Sequence, residues 1–136
     1  MFKVIESNGK RFELTVNAAT ALVYKQVFKK EVAEELQGFD LESLRGFNQL
    51  SQEEKTKLAL KKQKELLDLV DLWIKLGFIM TIQGKPFAEY WNRITYDDYV
   101  EWRSTVPTST LMRPEFITAV ATLWTEDQKG SSEAKN

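Results

Sequence analysis

Three groups of side chains have types and spacings that could do chemistry. The first is acidic. Asp68 and Asp71 lie one helical turn apart, and Asp97 and Asp98 are adjacent. Paired carboxylates can hold magnesium. The second is basic. Lys55, Lys57, Lys61, Lys62 and Lys64 crowd one stretch, and Lys57, Lys61 and Lys64 share a helical face that could follow a phosphate backbone. The third is aromatic. Trp91, Trp102 and Trp124 fall close to Phe87, Tyr90, Tyr96 and Tyr99. Tryptophan and tyrosine supply large contact areas at low entropic cost and dominate protein interfaces.

The acidic and basic groups have simpler explanations. Asp97 and Asp98 stand where the first turn of a helix attracts negative charge. Asp68 and Asp71 flank an apolar seam, as solvated residues do. Glu53, Glu54 and Glu65 interleave with the lysines, and no arginine or aromatic side chain lies among them to grip phosphate or stack on bases. The aromatic group is the stronger signal. Trp91, Tyr99, Trp102, Phe116 and Trp124 are the candidate protein-binding residues, although core packing explains any one of them alone.

Composition narrows the chemistry further. The chain has no histidine and no cysteine. That removes the commonest general base, thiolate nucleophiles and the usual zinc and haem ligands. No cofactor or metal is expected. There are 19 basic and 20 acidic residues, a formal net charge of -1, so no global field draws in nucleic acid. No apolar run approaches the roughly twenty residues of a membrane span, and no secretory signal is recognisable at the start.

The elements that must position these residues can be read from periodicity. The chain reads as one α+β domain, residues 1–125, mostly helical, with four to five helices behind an N-terminal two-stranded antiparallel β-hairpin. The hairpin covers 2–16 and closes at Ser7-Asn8-Gly9. A three-residue loop pairs Val4 with Phe12 and Phe2 with Leu14, so that all four share one buried face. A two-residue loop at Asn8-Gly9 puts polar residues opposite apolar ones, and the longer loop is therefore expected.

Asn17 is a good N-cap for a helix over 18–37 that ends at Gly38. Residues 39–50 are ambiguous. Ser51-Gln52-Glu53-Glu54 is a capping box for a long helix over 52–76, with Gly77 as its cap. Residues 78–82 fit either a continuation of it or a short extended stretch. Pro86 opens a short helix over 86–94. A further helix is expected over 96–104, a loop over 106–110, and a last helix over 114–125. Residues 126–136 lack large apolar side chains and read as a disordered polar tail.

The order of parts resembles a known family. A hairpin opens on Phe2-Lys3-Val4 and closes at Asn8-Gly9. Phe12-Glu13-Leu14-Thr15-Val16 runs directly into Asn17-Ala18-Ala19-Thr20-Ala21-Leu22. A long helix carries Glu65-Leu66-Leu67-Asp68-Leu69, and Thr95-Tyr96-Asp97-Asp98-Tyr99-Val100-Glu101-Trp102 follows. Over about residues 2 to 125 this is similar to the tail assembly chaperones of long-tailed bacteriophages of Gram-positive hosts. The resemblance implies a non-enzymatic protein in the cytoplasm of the infected bacterium, absent from the finished virion. It implies binding to the tape-measure protein and recruitment of the major tail-tube protein, and often a longer form made by frameshifting. Self-association is expected separately, from the open edges of a two-stranded hairpin. The alternative is a small nucleic-acid-binding regulator using the lysine face. A carboxylate–magnesium enzyme is a third reading.

Overall fold

The computed structural model describes residues 1–37, 49–83 and 91–134. Strand β1 (Phe2–Ser7) pairs antiparallel with β2 (Lys10–Thr15). Helices α1 (Ala19–Phe28), α2 (Val32–Gln37) and α3 (Gln52–Ile82) follow. After a 3-10 turn at Trp91–Arg93 come α4 (Tyr96–Thr105), α5 (Thr108–Leu111) and α6 (Pro114–Ala134). The fold is α+β and mostly helical.

The hairpin register differs from the expected one. Ser7 pairs with Lys10, Val4 with Glu13 and Lys3 with Leu14, so the loop is the two-residue Asn8-Gly9. Both loop residues have positive φ, 53° and 81°. That is the type I′ geometry whose twist matches a hairpin and which Asn-Gly tolerates best. Moving the register by one residue turns all of β1 over. Phe12 and Leu14 are buried as expected, but Phe2 and Val4 are 61% and 42% exposed. Ile5 and Ser7 take the inner face instead. Ser7 is stable there because its hydroxyl donates to the Thr110 carbonyl oxygen at 2.7 Å, which satisfies a buried polar group. Asn8 Nδ2 reaches Thr110 Oγ1 at 3.3 Å, so the turn is fastened to α5.

The single helix expected over 18–37 is two. Lys29 adopts a left-handed conformation, φ 62°, and donates its backbone N–H to the Lys25 carbonyl. In α1 the buried residues are Thr20, Val23, Tyr24 and Val27. Carried on at helical spacing, that face would bury Glu31 and Glu34. The break resets the phase, and Val32 goes into the core instead, with Leu36 packed against it. Asn17 caps from one residue early, its Oδ1 accepting the Ala19 N–H at 2.9 Å.

Helix α3 does not end at Gly77. It runs on to Ile82, so residues 78–82 continue the helix. Gly77 packs against α6: a Cβ there would lie 2.4 Å from Phe116 Cζ. Around it Leu76, Phe78, Ile79 and Met80 are all buried. This part of α3 is the axle of the domain. β2, α1 and α6 each pack on it, and a helix enclosed on every side loses its amphipathic period. Ser51 caps its start, accepting the Glu54 N–H at 3.2 Å.

The remaining expectations fall both ways. Helix α4 begins at a full capping box between Thr95 and Asp98. The loop expected over 106–110 contains the helical turn α5. Helix α6 continues to Ala134, through most of the segment expected to be disordered. Of the helix expected over 86–94, residues 86–90 lie outside the described residues, and 91–93 form the 3-10 turn. Most of the ambiguous stretch 39–50 also lies outside them. No described helix is long and apolar enough to cross a membrane.

Candidate protein-interaction surface

Three of the candidate aromatics, Tyr99, Trp102 and Phe116, belong to one chain of rings through the core. Tyr24 meets Phe28 at 4.8 Å, Phe28 meets Tyr99 at 5.0 Å, and Tyr99 meets Phe78 at 5.5 Å. Phe78 meets Trp102 at 5.4 Å, and Phe116 meets Phe12 edge-on at 5.0 Å. Such pairs add to the apolar area each ring buries. Tyr99, Phe116 and Trp124 are buried. Their packing in the core is the simpler of the two explanations that the sequence leaves open for them. The Trp91 side chain lies outside the described residues.

Trp102 alone among the described candidates reaches the surface. It is half-buried and lines a cleft of about 400 Å³. Lys10, Arg11, Phe12 and Glu13 of β2 form one wall of that cleft, with Thr81, Ile82 and Trp102 opposite. Ile82 also borders a second hollow of about 350 Å³ with Phe78, Arg93, Ile94 and Asp98.

Apart from Tyr96, a member of the aromatic group, the exposed apolar residues are ones the sequence does not single out for binding. Tyr96 and Val100 stand one turn apart on the outside of α4. Phe2 and Val4 share the outer face of the hairpin. Leu60 and Leu67 lie on the first half of α3, seven residues apart and therefore on one side of it. From Gln52 to Asp68 every described side chain is exposed or half-buried. This half of α3 is an arm none of whose described side chains is buried. Nothing in local periodicity distinguishes an apolar residue facing the core from one facing outward.

Charged residues around α3 are engaged in structure. Lys75 Nζ lies 3.4 Å from Glu35 and 3.8 Å from Asp71, and its ammonium stands over the Tyr24 and Phe28 rings at 5.8 and 5.3 Å. The Lys75 and Glu35 side chains are only 17% and 16% exposed. Arg103 reaches Asp71 at 3.4 Å and donates to the Tyr99 hydroxyl at 2.8 Å. The belt joins α2, α3 and α4. Burial pushes the Tyr24 hydroxyl's ionisation upward, and Glu35 and Asp71 push it the same way. Glu35 is close enough to oppose ionisation but does not meet hydrogen-bonding geometry, and the buried hydroxyl has no partner among the described residues. Burial likewise raises Tyr99, against the pull of Arg103.

One carboxylate of each acidic pair therefore has a structural partner: Asp71 in this belt, Asp98 in the α4 cap. Among the described residues no cluster of three or more His, Cys, Asp or Glu could hold a metal. On the lysine face, Lys57 lies 3.5 Å from Glu53 one turn earlier. The side chains of Lys61, Lys62 and Lys64 lie outside the described residues. Set against models of protein families, curated proteins and solved structures, the chain matches none.

Proposed function

We propose that this chain is a phage tail assembly chaperone acting by protein contact alone. In this reading it binds the tape-measure protein in the cytoplasm of the infected host, keeps it soluble, helps bring tail-tube subunits to it, and leaves before the virion is complete. The observation that carries the reading is the α3 arm. It offers Leu60 and Leu67 on one exposed side, the spacing at which a helical partner meets a helix. A tape-measure protein is expected to be long and helical, and a helical arm with none of its described side chains buried is the kind of surface such a partner can lie along. The layout of hairpin, direct strand-to-helix passage and long helix supports the same family.

The test is co-expression with the tape-measure protein of the same phage genome. The chain should raise the soluble fraction of that protein and co-elute with it. Replacing both Leu60 and Leu67 with Asp should abolish co-elution and leave the circular dichroism spectrum unchanged. A tape-measure protein that is equally soluble alone, or that never co-elutes with the wild-type chain, overturns the proposal.

A further inference from the structure

The hairpin carries a second, separate piece of information in its hydrogen-bond phase. Met1 and Val16 exchange two bonds: the Met1 ammonium donates to the Val16 carbonyl at 2.8 Å, and the Val16 N–H donates to the Met1 carbonyl at 2.9 Å. Bonded and non-bonded pairs alternate in an antiparallel ladder. The bonded pairs are therefore Lys3–Leu14, Ile5–Phe12 and Ser7–Lys10 in the observed register. The residues between them, Arg11, Glu13 and Thr15, aim their backbone N–H and C=O groups away from β1, toward the free edge of β2. Among the described residues nothing bonds to those groups. Four consecutive β2 residues line the cleft beside Trp102, so it is the edge of the strand that borders the opening. An open edge of this kind is a template for another strand.

The side chains on that edge select the strand it takes. Arg11 and Glu13 both lie on the outer face, 3.0 Å apart, with side chains 65% and 55% exposed. We propose that the occupant is a second copy of the same edge, joined antiparallel about a two-fold axis at Phe12. In that register Arg11 stands opposite Glu13 of the other copy, and Glu13 opposite its Arg11. Both are outward-facing positions, so both pairs form bonded rungs. Shifting the axis to residue 11 sets arginine against arginine, and shifting it to 13 sets glutamate against glutamate. Opposite charges across a strand pair stabilise it and like charges destabilise it, so charge selects one register.

The β1 edge has no such self-match. Its outward positions are Phe2, Val4 and Glu6, with a single charge among them, and β1 lies along α6. Joining the β2 edges makes a four-stranded sheet in the order β1-β2-β2-β1. An axis perpendicular to the sheet keeps both sets of helices on one side, and the two half-buried Trp102 side chains meet beneath the seam. The interface is isologous, and it is independent of tape-measure binding.

Analytical ultracentrifugation of the full chain over a wide concentration range tests this. The wild type should dimerise. Arg11→Glu and Glu13→Arg should each raise the dimer dissociation constant about tenfold or more, since each turns two attractive pairs into two repulsive ones. Both residues are well exposed, and circular dichroism should show the fold unchanged. The double variant R11E/E13R restores opposite charges and should dimerise like wild type. An equimolar mixture of the two single variants should form a mixed dimer that neither forms alone. A wild type that stays monomeric at the highest concentration reached overturns the proposal. So does a dimer that neither reversal weakens, or a double variant no better than the singles.

Discussion

Gly77→Ala sets two known effects against each other. In an ordinary helix interior this change is favourable by about 1 kcal/mol, because alanine leaves the unfolded chain fewer conformations to lose than glycine does. Here the new methyl would lie 2.4 Å from Phe116 Cζ, 2.7 Å from Cε1 and 3.2 Å from Val120 Cγ2. Carbon atoms in contact sit roughly 3.5–4.0 Å apart, so the ring must retreat by more than an ångström. It has little room. Phe116 is fully buried and held edge-on against Phe12 at 5.0 Å, with Trp102 on another side at 6.5 Å. Forced repacking costs about 1–3 kcal/mol, and for a ring held on two sides the upper part of that range, about 2–3 kcal/mol, applies, so the steric effect wins. A net loss of about 1–2 kcal/mol is expected, or roughly 4–8 °C in Tm for a domain of this size. Urea and thermal unfolding of the purified variant measure it directly. Phe116→Leu in the same background should make the alanine less costly than it is in wild type, a coupling that marks direct contact. A Gly77→Ala variant as stable as wild type, or more so, refutes the close packing of α3 on α6.

Tyr24→Phe should change how stability depends on pH. The folded chain holds the Tyr24 hydroxyl protonated well above its ordinary value of 10.0, whereas the unfolded chain releases the proton near that value. The protonated tyrosine's contribution is therefore complete below pH 10 and falls as pH rises past it. Urea midpoints from pH 8 to 11 should decline less steeply in Tyr24→Phe, and parallel slopes would contradict the assignment. At neutral pH the variant should be no less stable than wild type, because the hydroxyl it removes is buried without a partner. Lys29→Gly should stabilise by about 0.5–1 kcal/mol, since the left-handed cap at φ 62° suits glycine; a lower urea midpoint than wild type would show that the Lys29 side chain contributes more than its backbone strain costs.

Much of the element order can be read from local patterns, and the departures share a cause. Asn8-Gly9 marks a turn, and Phe12 and Leu14 mark a buried face, from neighbouring residues alone. The register of β1 depends on Thr110, far along the chain, which gives the buried Ser7 hydroxyl an acceptor. Four apolar residues on one face outweigh the observed three, Ile5, Phe12 and Leu14, only when that acceptor is left out. The break at Lys29 carries no glycine or proline to announce it, and it exists to keep Glu31 and Glu34 out of the core. Gly77 resembles a cap in sequence and is a contact in space. The surface was harder still. Aromatic content drew attention to Tyr99, Phe116 and Trp124, all of them buried. The exposed apolar residues, Phe2, Leu60, Leu67, Tyr96 and Val100, differ from buried neighbours only in which way the fold turns them.

The unequal embedding of α3 divides one helix into two dynamic regimes. At about 1.5 Å per residue its 31 residues span about 46 Å, yet among its described side chains the buried ones begin only at Leu72. Backbone amides between there and Met80 are shielded by the whole domain and should exchange with solvent only when the domain opens globally. From Gln52 to Asp68 no described side chain is buried, and the amides there should exchange by local fraying many times faster. A partner that settles on Leu60 and Leu67 would slow that exchange without touching the distal half. The boundary near residue 70 then becomes a reporter, and deuterium uptake along a single helix separates binding to the arm from a change in the stability of the whole domain.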